Sequence, residues 1–194
     1  MQILKPKIRA RILTAAEQQF CNKGYRDASM RSIAGEAGIS VSNLYKYFDG
    51  KENLLDAVLA DFCREFQSNL NRLFSDIRSE TANSRLIDMI AGLIIYMIQK
   101  DRRKFIILMG QSDGTPYRAI RQKIVWQITD KLRESLDFRE DQDRYLLEIL
   151  SGNFFSAILA IAKYTDENRE KLTIRINGLT NYHLTGLNGI SLKP

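Results

Sequence analysis

Val41, Ser42, Asn43, Tyr45, Lys46, Tyr47 and Lys51 gather methyl, hydroxyl, amide, phenol and ammonium groups into one short stretch of the chain. Together such groups can contact base edges and hold phosphate oxygens, the chemistry of nucleic-acid recognition. They do not make a reaction centre. No nucleophile motif, glycine-rich phosphate loop after a strand or pair of metal ligands accompanies them. His183 is the only histidine, and without a second one a general-base or metal role has little support. No catalytic residue, metal or cofactor is expected, and the chain does not read as an enzyme.

Recognition chemistry needs a rigid carrier, and the surrounding residues supply one. Ser29 is a favourable N-cap, and Met30, Ile33, Ala34 and Ala37 recur at helical spacing, so the segment after Ser29 is a short helix with one apolar face. Gly38 stands where a helix commonly ends in a left-handed residue, and Ile39 can plug the corner. Ser40 then caps a second helix. Its Ile39, Leu44 and Phe48 side turns inward, Val41, Ser42, Asn43, Lys46 and Tyr47 face solvent, and Tyr45 lies at the border. Small hydrogen-bonding groups come first and an aromatic and basic cluster follows, as a helix requires if its start enters a major groove while its end touches phosphates. Asp49 and Glu52 predict a capping box for the next helix, whose Lys51 beside free backbone N–H groups would form a phosphate clamp.

The order and spacing of Arg11, Ile12, Leu13, Ala15, Ala16, Phe20, Gly24, Ile33, Ala34, Ala37, Gly38, Ile39, Ser40, Leu44, Tyr45, Phe48, Lys51, Glu52, Leu54 and Leu55 resemble the tetracycline-repressor (TetR) family of bacterial regulators. The resemblance covers roughly the first quarter to third of the chain; the rest matches only in length and helical character. It implies an all-α fold in which an N-terminal three-helix, helix-turn-helix DNA-binding head (1–52) is joined by a long helix to a helical effector-binding and dimerisation domain (53–194). By position in the family's motif, Arg31, Val41, Ser42 and Asn43 would meet base edges, with Ser40 beside them, while Tyr45, Lys46, Tyr47 and Lys51 would hold phosphates. The family often carries a small residue where Ser42 stands, and Val41 offers only methyl contact to thymine.

Charge and composition agree with a polyanion partner. The first 50 residues hold eight Lys and Arg against four Asp and Glu, a large share of the chain's net charge of +6. A hydrophobic fraction of 44% is ample for a buried core. Cys21 and Cys63 are too few and too far apart in sequence for a disulfide framework or zinc site, which favours a reducing cytoplasm. Residues 86–98 are the most apolar run, but Asp88 interrupts it and it is shorter than the roughly 20 residues that span a bilayer, so it reads as a buried helix with no membrane role. The N-terminus lacks the apolar core of a secretory signal.

Periodicity predicts a first helix over 7–23, stopped at 22–24, and a long helix over 51–77. Further helices are expected near 84–99, 102–110, 116–136, 141–165 and 167–184, with loops at 79–84 and 137–140 and a frayed tail at 185–194. Met89, Leu93, Tyr96, Met97, Phe105, Met109, Tyr117, Trp126 and Phe155 could line an effector pocket or be plain core. Leu150, Gly152, Phe154, Ala157, Ile161, Leu172, Ile176 and Leu179 on the last two helices are intramolecular core by spacing alone. The family resemblance makes them a homodimer interface, a four-helix bundle placing two heads on a palindromic operator.

The reading is a cytoplasmic, homodimeric repressor released from double-stranded operator DNA by a small apolar or amphipathic effector. A DNA-organising or protein-regulated helix-turn-helix protein without that switch, and a transcriptional activator, are the alternatives. A small-molecule carrier or enzyme with a vestigial head is a third, opposed by the tyrosine and lysine cluster.

Overall fold

The structure is a computed structural model that describes residues 5–76, 83–136, 141–164 and 168–190. All regular elements among the described residues are helices: α1 (Pro6–Asp27), α2 (Met30–Glu36), α3 (Val41–Leu44), α4 (Lys51–Asp76), α5 (Asn83–Lys100), α6 (Arg102–Ile106), a π-helical turn (Ile107–Gln111), α7 (Pro116–Leu136), α8 (Asp141–Tyr164) and α9 (Arg169–Ile190). The expected loop at 137–140 and most of that at 79–84 lie outside the described residues.

The order matches the sequence expectation, with three differences. The first helix does break at Gly24, where φ is 80° and ψ 164°, but one more turn follows to Asp27. The segment expected as one helix over 102–110 is α-helical only to Ile106 and then widens into the π turn, ending at the fully buried Ser112, whose hydroxyl donates to the Leu108 carbonyl at 2.9 Å. The last helix does not stop at 184; it continues to Ile190. At its start Asn168 Oδ1 accepts from the Glu170 and Lys171 N–H groups, an Asx cap.

The chain divides into two compact units, Met1–Phe66 with Arg103–Ile120, and Gln67–Arg102 with Arg121–Pro194. The first holds α1–α3, the start of α4, most of α6, the π turn and the start of α7. Ile12, Ala16, Phe20, Ile33, Leu44, Leu54, Leu55 and Leu59 are fully buried, and Phe66 stacks on Phe105 at 6.3 Å. The π turn packs along α1, and a β-carbon at Gly24 would sit 2.8 Å from Gln111 Oε1.

In the second unit α9 packs on both α5 and α8. Its core includes Leu70, Ile94, Met97, Ile128, Ile158 and Ile176. Arg102 donates to the Ala162 and Lys163 carbonyls at the C-terminal end of α8, where the helix leaves acceptors without N–H partners. Arg169 Nε reaches Gln99 Oε1 at 2.8 Å and ties the start of α9 to the end of α5.

Candidate nucleic-acid interface

The turn between α2 and α3 is fixed by backbone and caps on both sides. Ser29 Oγ accepts from Ser32 N at 3.0 Å and Ser32 Oγ accepts from Ser29 N at 3.2 Å, a reciprocal capping box at the start of α2. At its other end Gly38 has φ 62°, its N–H meets Gly35 O at 3.1 Å, and Ile39 N–H reaches back to Ala34 O at 3.0 Å. These two bonds make a Schellman motif, satisfying carbonyls that the helix leaves open. Arg11 donates to the Ala37 and Gly38 carbonyls from α1, and a β-carbon at 38 would lie 2.7 Å from its Nη2. Ser40 Oγ then accepts from Asn43 N at 3.2 Å and starts α3.

Regular α3 spans only Val41–Leu44, and the chain beyond it tightens. Lys46 N bonds Asn43 O and Tyr47 N bonds Leu44 O, each three residues back. Leu44 and Phe48 are buried as expected, anchoring this face to the unit's core. The tyrosines exchange places relative to the sequence expectation. Tyr45, expected at the border, is 49% exposed, whereas Tyr47 is half-buried and its hydroxyl accepts the Lys5 backbone N–H at 3.1 Å. Three-residue spacing advances the chain by about 120° per residue instead of 100°, which turns this pair.

Among the expected DNA contacts, Arg31, Ser42, Tyr45 and Lys46 are exposed, and Val41 and Asn43 are half-buried. Ser40 is occupied with capping, and its hydroxyl lies 3.1 Å from that of Ser42. Lys51 is engaged within the protein: Nζ donates to the carbonyls of Tyr25 (2.7 Å), Arg26 (3.1 Å) and Ala28 (2.8 Å) and sits 4.4 Å from the Tyr25 ring centroid. The first carbonyl of α4's ladder is Gly50's, bonded by Leu54 N at 3.0 Å, so the helix starts one residue later than an Asp49 cap would have it. Arg9 lies over the Phe48 ring at 5.4 Å.

The residues expected around an effector divide between the units. Phe105, Met109 and Tyr117 belong to the first and are buried. In the second, Met97 and Phe155 are buried, Met89 and Leu93 half-buried, and Tyr96 and Trp126 exposed at the surface of the single chain. Tyr117 also borders an open groove of about 570 Å³ lined by Asp49, Glu52, Asn53, Asp56, Pro116 and Ile120. Its hydroxyl donates to Asp56 Oδ1 at 2.7 Å, and burial, then that bond, push its pKa well up. Three carboxylates in the lining make this groove unsuited to phosphate.

Several of the expected dimer residues are core of their own chain. Phe154, Leu172 and Ile176 are buried, because α9 lays its Leu172 and Ile176 side on α5 and α8; Leu150, Ala157, Ile161 and Leu179 are half-buried. Gly152, Ser156 and Ala160 are exposed, in line with Tyr145, Ile149 and Tyr164, and on α9 Ile174, Gly178 and Tyr182 are exposed. His183 belongs to the packed side of α9: its Nε2 is 3.1 Å from Leu150 O and its ring 4.8 Å from that of Phe154. Sequence reasoning passed over Arg11 as a turn clamp and Gln111 as the neighbour of Gly24. Only the glycines at 38 and 24 hinted at close approaches there.

Two helices joined by a Schellman turn, with small polar groups opening the second and an exposed tyrosine and lysine ending it, define a helix-turn-helix DNA-binding head. Residues 12–58 match the family model described as bacterial regulatory proteins, tetR family. The transcriptional repressor KstR2 of Mycolicibacterium smegmatis is 29% identical over 152 residues, 70% of this chain and 69% of that one. A TetR-family transcriptional regulator from Bordetella parapertussis 12822 shares the fold at 19% identity, with a TM-score of 0.75 over 98% of this chain and all of the other. FadR from Bacillus subtilis, solved with stearoyl-CoA, superposes at a TM-score of 0.52 and 16% identity over 91% of this chain and 98% of its own. The head is thus a TetR-family helix-turn-helix domain, and over most of its length the chain is similar to DNA-binding transcriptional regulators.

Proposed function

We propose that the chain is a homodimeric repressor that binds a palindromic operator in the cytoplasm and is released by a small apolar or amphipathic effector. The observation that carries it is the exposed start of α3, with Ser42 free of the core and Val41 and Asn43 beside it, on a turn held by Arg11. Arg31, Val41, Ser42 and Asn43 read base edges, and Tyr45, Lys46 and Tyr47 hold phosphates, with Ser40 setting the helix start. Residues 1–52 form the DNA-binding domain and 53–194 the ligand-binding and dimerisation domain. Repression is supported by the likeness to KstR2, which is named as a repressor.

Dimerisation uses the exposed sides of α8 and α9. Tyr145, Ile149, Tyr164, Ile174 and Tyr182 are large apolar or aromatic side chains in water in the single chain, between 44% and 83% exposed. Gly152, Ser156 and Ala160 lie on the same side of α8 and allow close helix approach. Such a surface is what an isologous contact between two copies removes from solvent. Tyr145–Tyr164 is also long and apolar enough, by length and composition, to cross a bilayer. A second copy covering its outer face accounts for that composition without lipid.

The effector binds among the apolar residues of the second unit, Met89, Leu93, Met97 and Phe155, in a site with few polar groups. A long-chain acyl-CoA is a first probe, because FadR of the same fold was solved with one. Release requires that the effector favour the DNA-incompetent state, with a typical coupling of about 1–3 kcal/mol, or roughly 5- to 150-fold.

The test is selection of bound fragments from the source genome by purified protein at near-physiological salt. A few enriched palindromic sites support the reading, and titrating stearoyl-CoA against such a site probes the effector class. Broad recovery with no shared motif favours a DNA-organising protein, and no recovery sinks the reading.

A further inference from the structure

We propose that Lys51 is a positioning residue for the DNA-reading head: its ammonium binds the end of α1 to the start of α4, holding α2 and α3 in register, and it does not neutralise a phosphate. The inference rests on the reading of the head as a DNA-binding module and reassigns one of its cations.

An ammonium has three N–H donors. Lys51 Nζ directs them at the carbonyls of Tyr25, Arg26 and Ala28, at 2.7, 3.1 and 2.8 Å, and the Tyr25 ring lies 4.4 Å away. The donor set is therefore full. Tyr25 and Arg26 belong to the last turn of α1, whose carbonyls have no helical N–H partner and carry the negative end of the helix dipole. Gly24 breaks the helix just before them, and Ala28 leads directly into the Ser29 cap of α2. One cation thus gathers the last turn of α1, the entry to α2 and the first residue of α4. Turning it outward to a phosphate would leave three carbonyls without that donor. The exposed Lys46 provides a cation for phosphate without such a loss.

The test compares full-length Lys51→Met, Lys51→Arg and Lys46→Met with wild type on a selected operator across a salt series. Loss of one phosphate contact shallows the slope of log affinity against log salt by about 0.9. Lys51→Met is expected to bind roughly tenfold or more weakly with the wild-type slope. Lys51→Arg is expected to remain weak, since a planar guanidinium keeps the charge but cannot point three donors at carbonyls converging on one atom. Lys46→Met is the comparison, with a shallower slope. A shallower slope for Lys51→Met, or recovered affinity in Lys51→Arg, overturns the proposal. Amide hydrogen exchange of the free protein tests it without DNA: faster exchange at 28–33 in Lys51→Met supports it, and unchanged exchange overturns it. Failure of the wild type to bind any DNA would instead remove the reading of the head.

Discussion

Arg11 reaches the carbonyls at the end of α2 only because position 38 has no side chain. A β-carbon there would press on Nη2 at 2.7 Å, and φ of 62° is itself costly for any residue but glycine. Gly38→Ala is expected to destabilise the protein by about 1–3 kcal/mol and to weaken operator binding, measured by denaturant titration and DNA titration. Wild-type stability in that variant would mean the Arg11 clamp contributes nothing. Burial pushes the Cys63 thiol up to about 11 from its ordinary 9.0. A thiol harder to ionise in the folded than in the unfolded chain stabilises the fold below about pH 9, and this contribution is lost as pH rises through 11. Tyr25 and Tyr117, both also raised, act with the same sign. Stability should therefore fall through this alkaline window, and Cys63→Ala should lessen the fall; identical pH profiles for the two proteins would rule the thiol out.

At the scale of elements, α2 and α3 were legible because everything that starts, stops and joins them is local. Ser29, Gly38, Ile39 and Ser40 each act within a few residues of their own position, and each does in the structure what its type and place imply. Ser40→Ala removes the cap of a helix only four residues long and is expected to cost about 1 kcal/mol. Its effect on operator affinity should exceed its effect on stability, since α3 carries the groups proposed to read bases; equal effects would argue that the cap serves folding alone. The π turn was not legible. Its register depends on packing against α1, a contact between residues nearly ninety positions apart, as between Gly24 and Gln111. Lys51 shows the same limit at the site: sequence marks a cation at a helix start, and only the fold reveals the three carbonyls that occupy it.

For the whole molecule, apolar periodicity on α8 and α9 gave the helices but could not distinguish the sides turned toward their own chain from those left exposed. Phe154, Leu172 and Ile176 turned out to be internal, and Tyr145, Ile149, Tyr164, Ile174 and Tyr182 external. The combined Ala160→Arg and Ile174→Glu variant is expected to be monomeric by light scattering and to lose operator affinity, with the monomer's fold changed by no more than about 0.5 kcal/mol per surface substitution. A variant that stays dimeric would place the contact elsewhere. Such a variant also separates the lipid alternative for α8, since a membrane-seated helix would not become a soluble monomer when given charges.

The compact unit that contains the head extends beyond it and is assembled from two stretches of chain, Met1–Phe66 and Arg103–Ile120, with Gln111 set against Gly24 and Asp56 bonded to Tyr117. For anyone building hybrid regulators, the exchangeable module is therefore not a single cassette. A chimera that transplants only the N-terminal codons would confront a foreign helix with Gly24 and Asp56, whereas one that carries both stretches would bring the head's own neighbours with it.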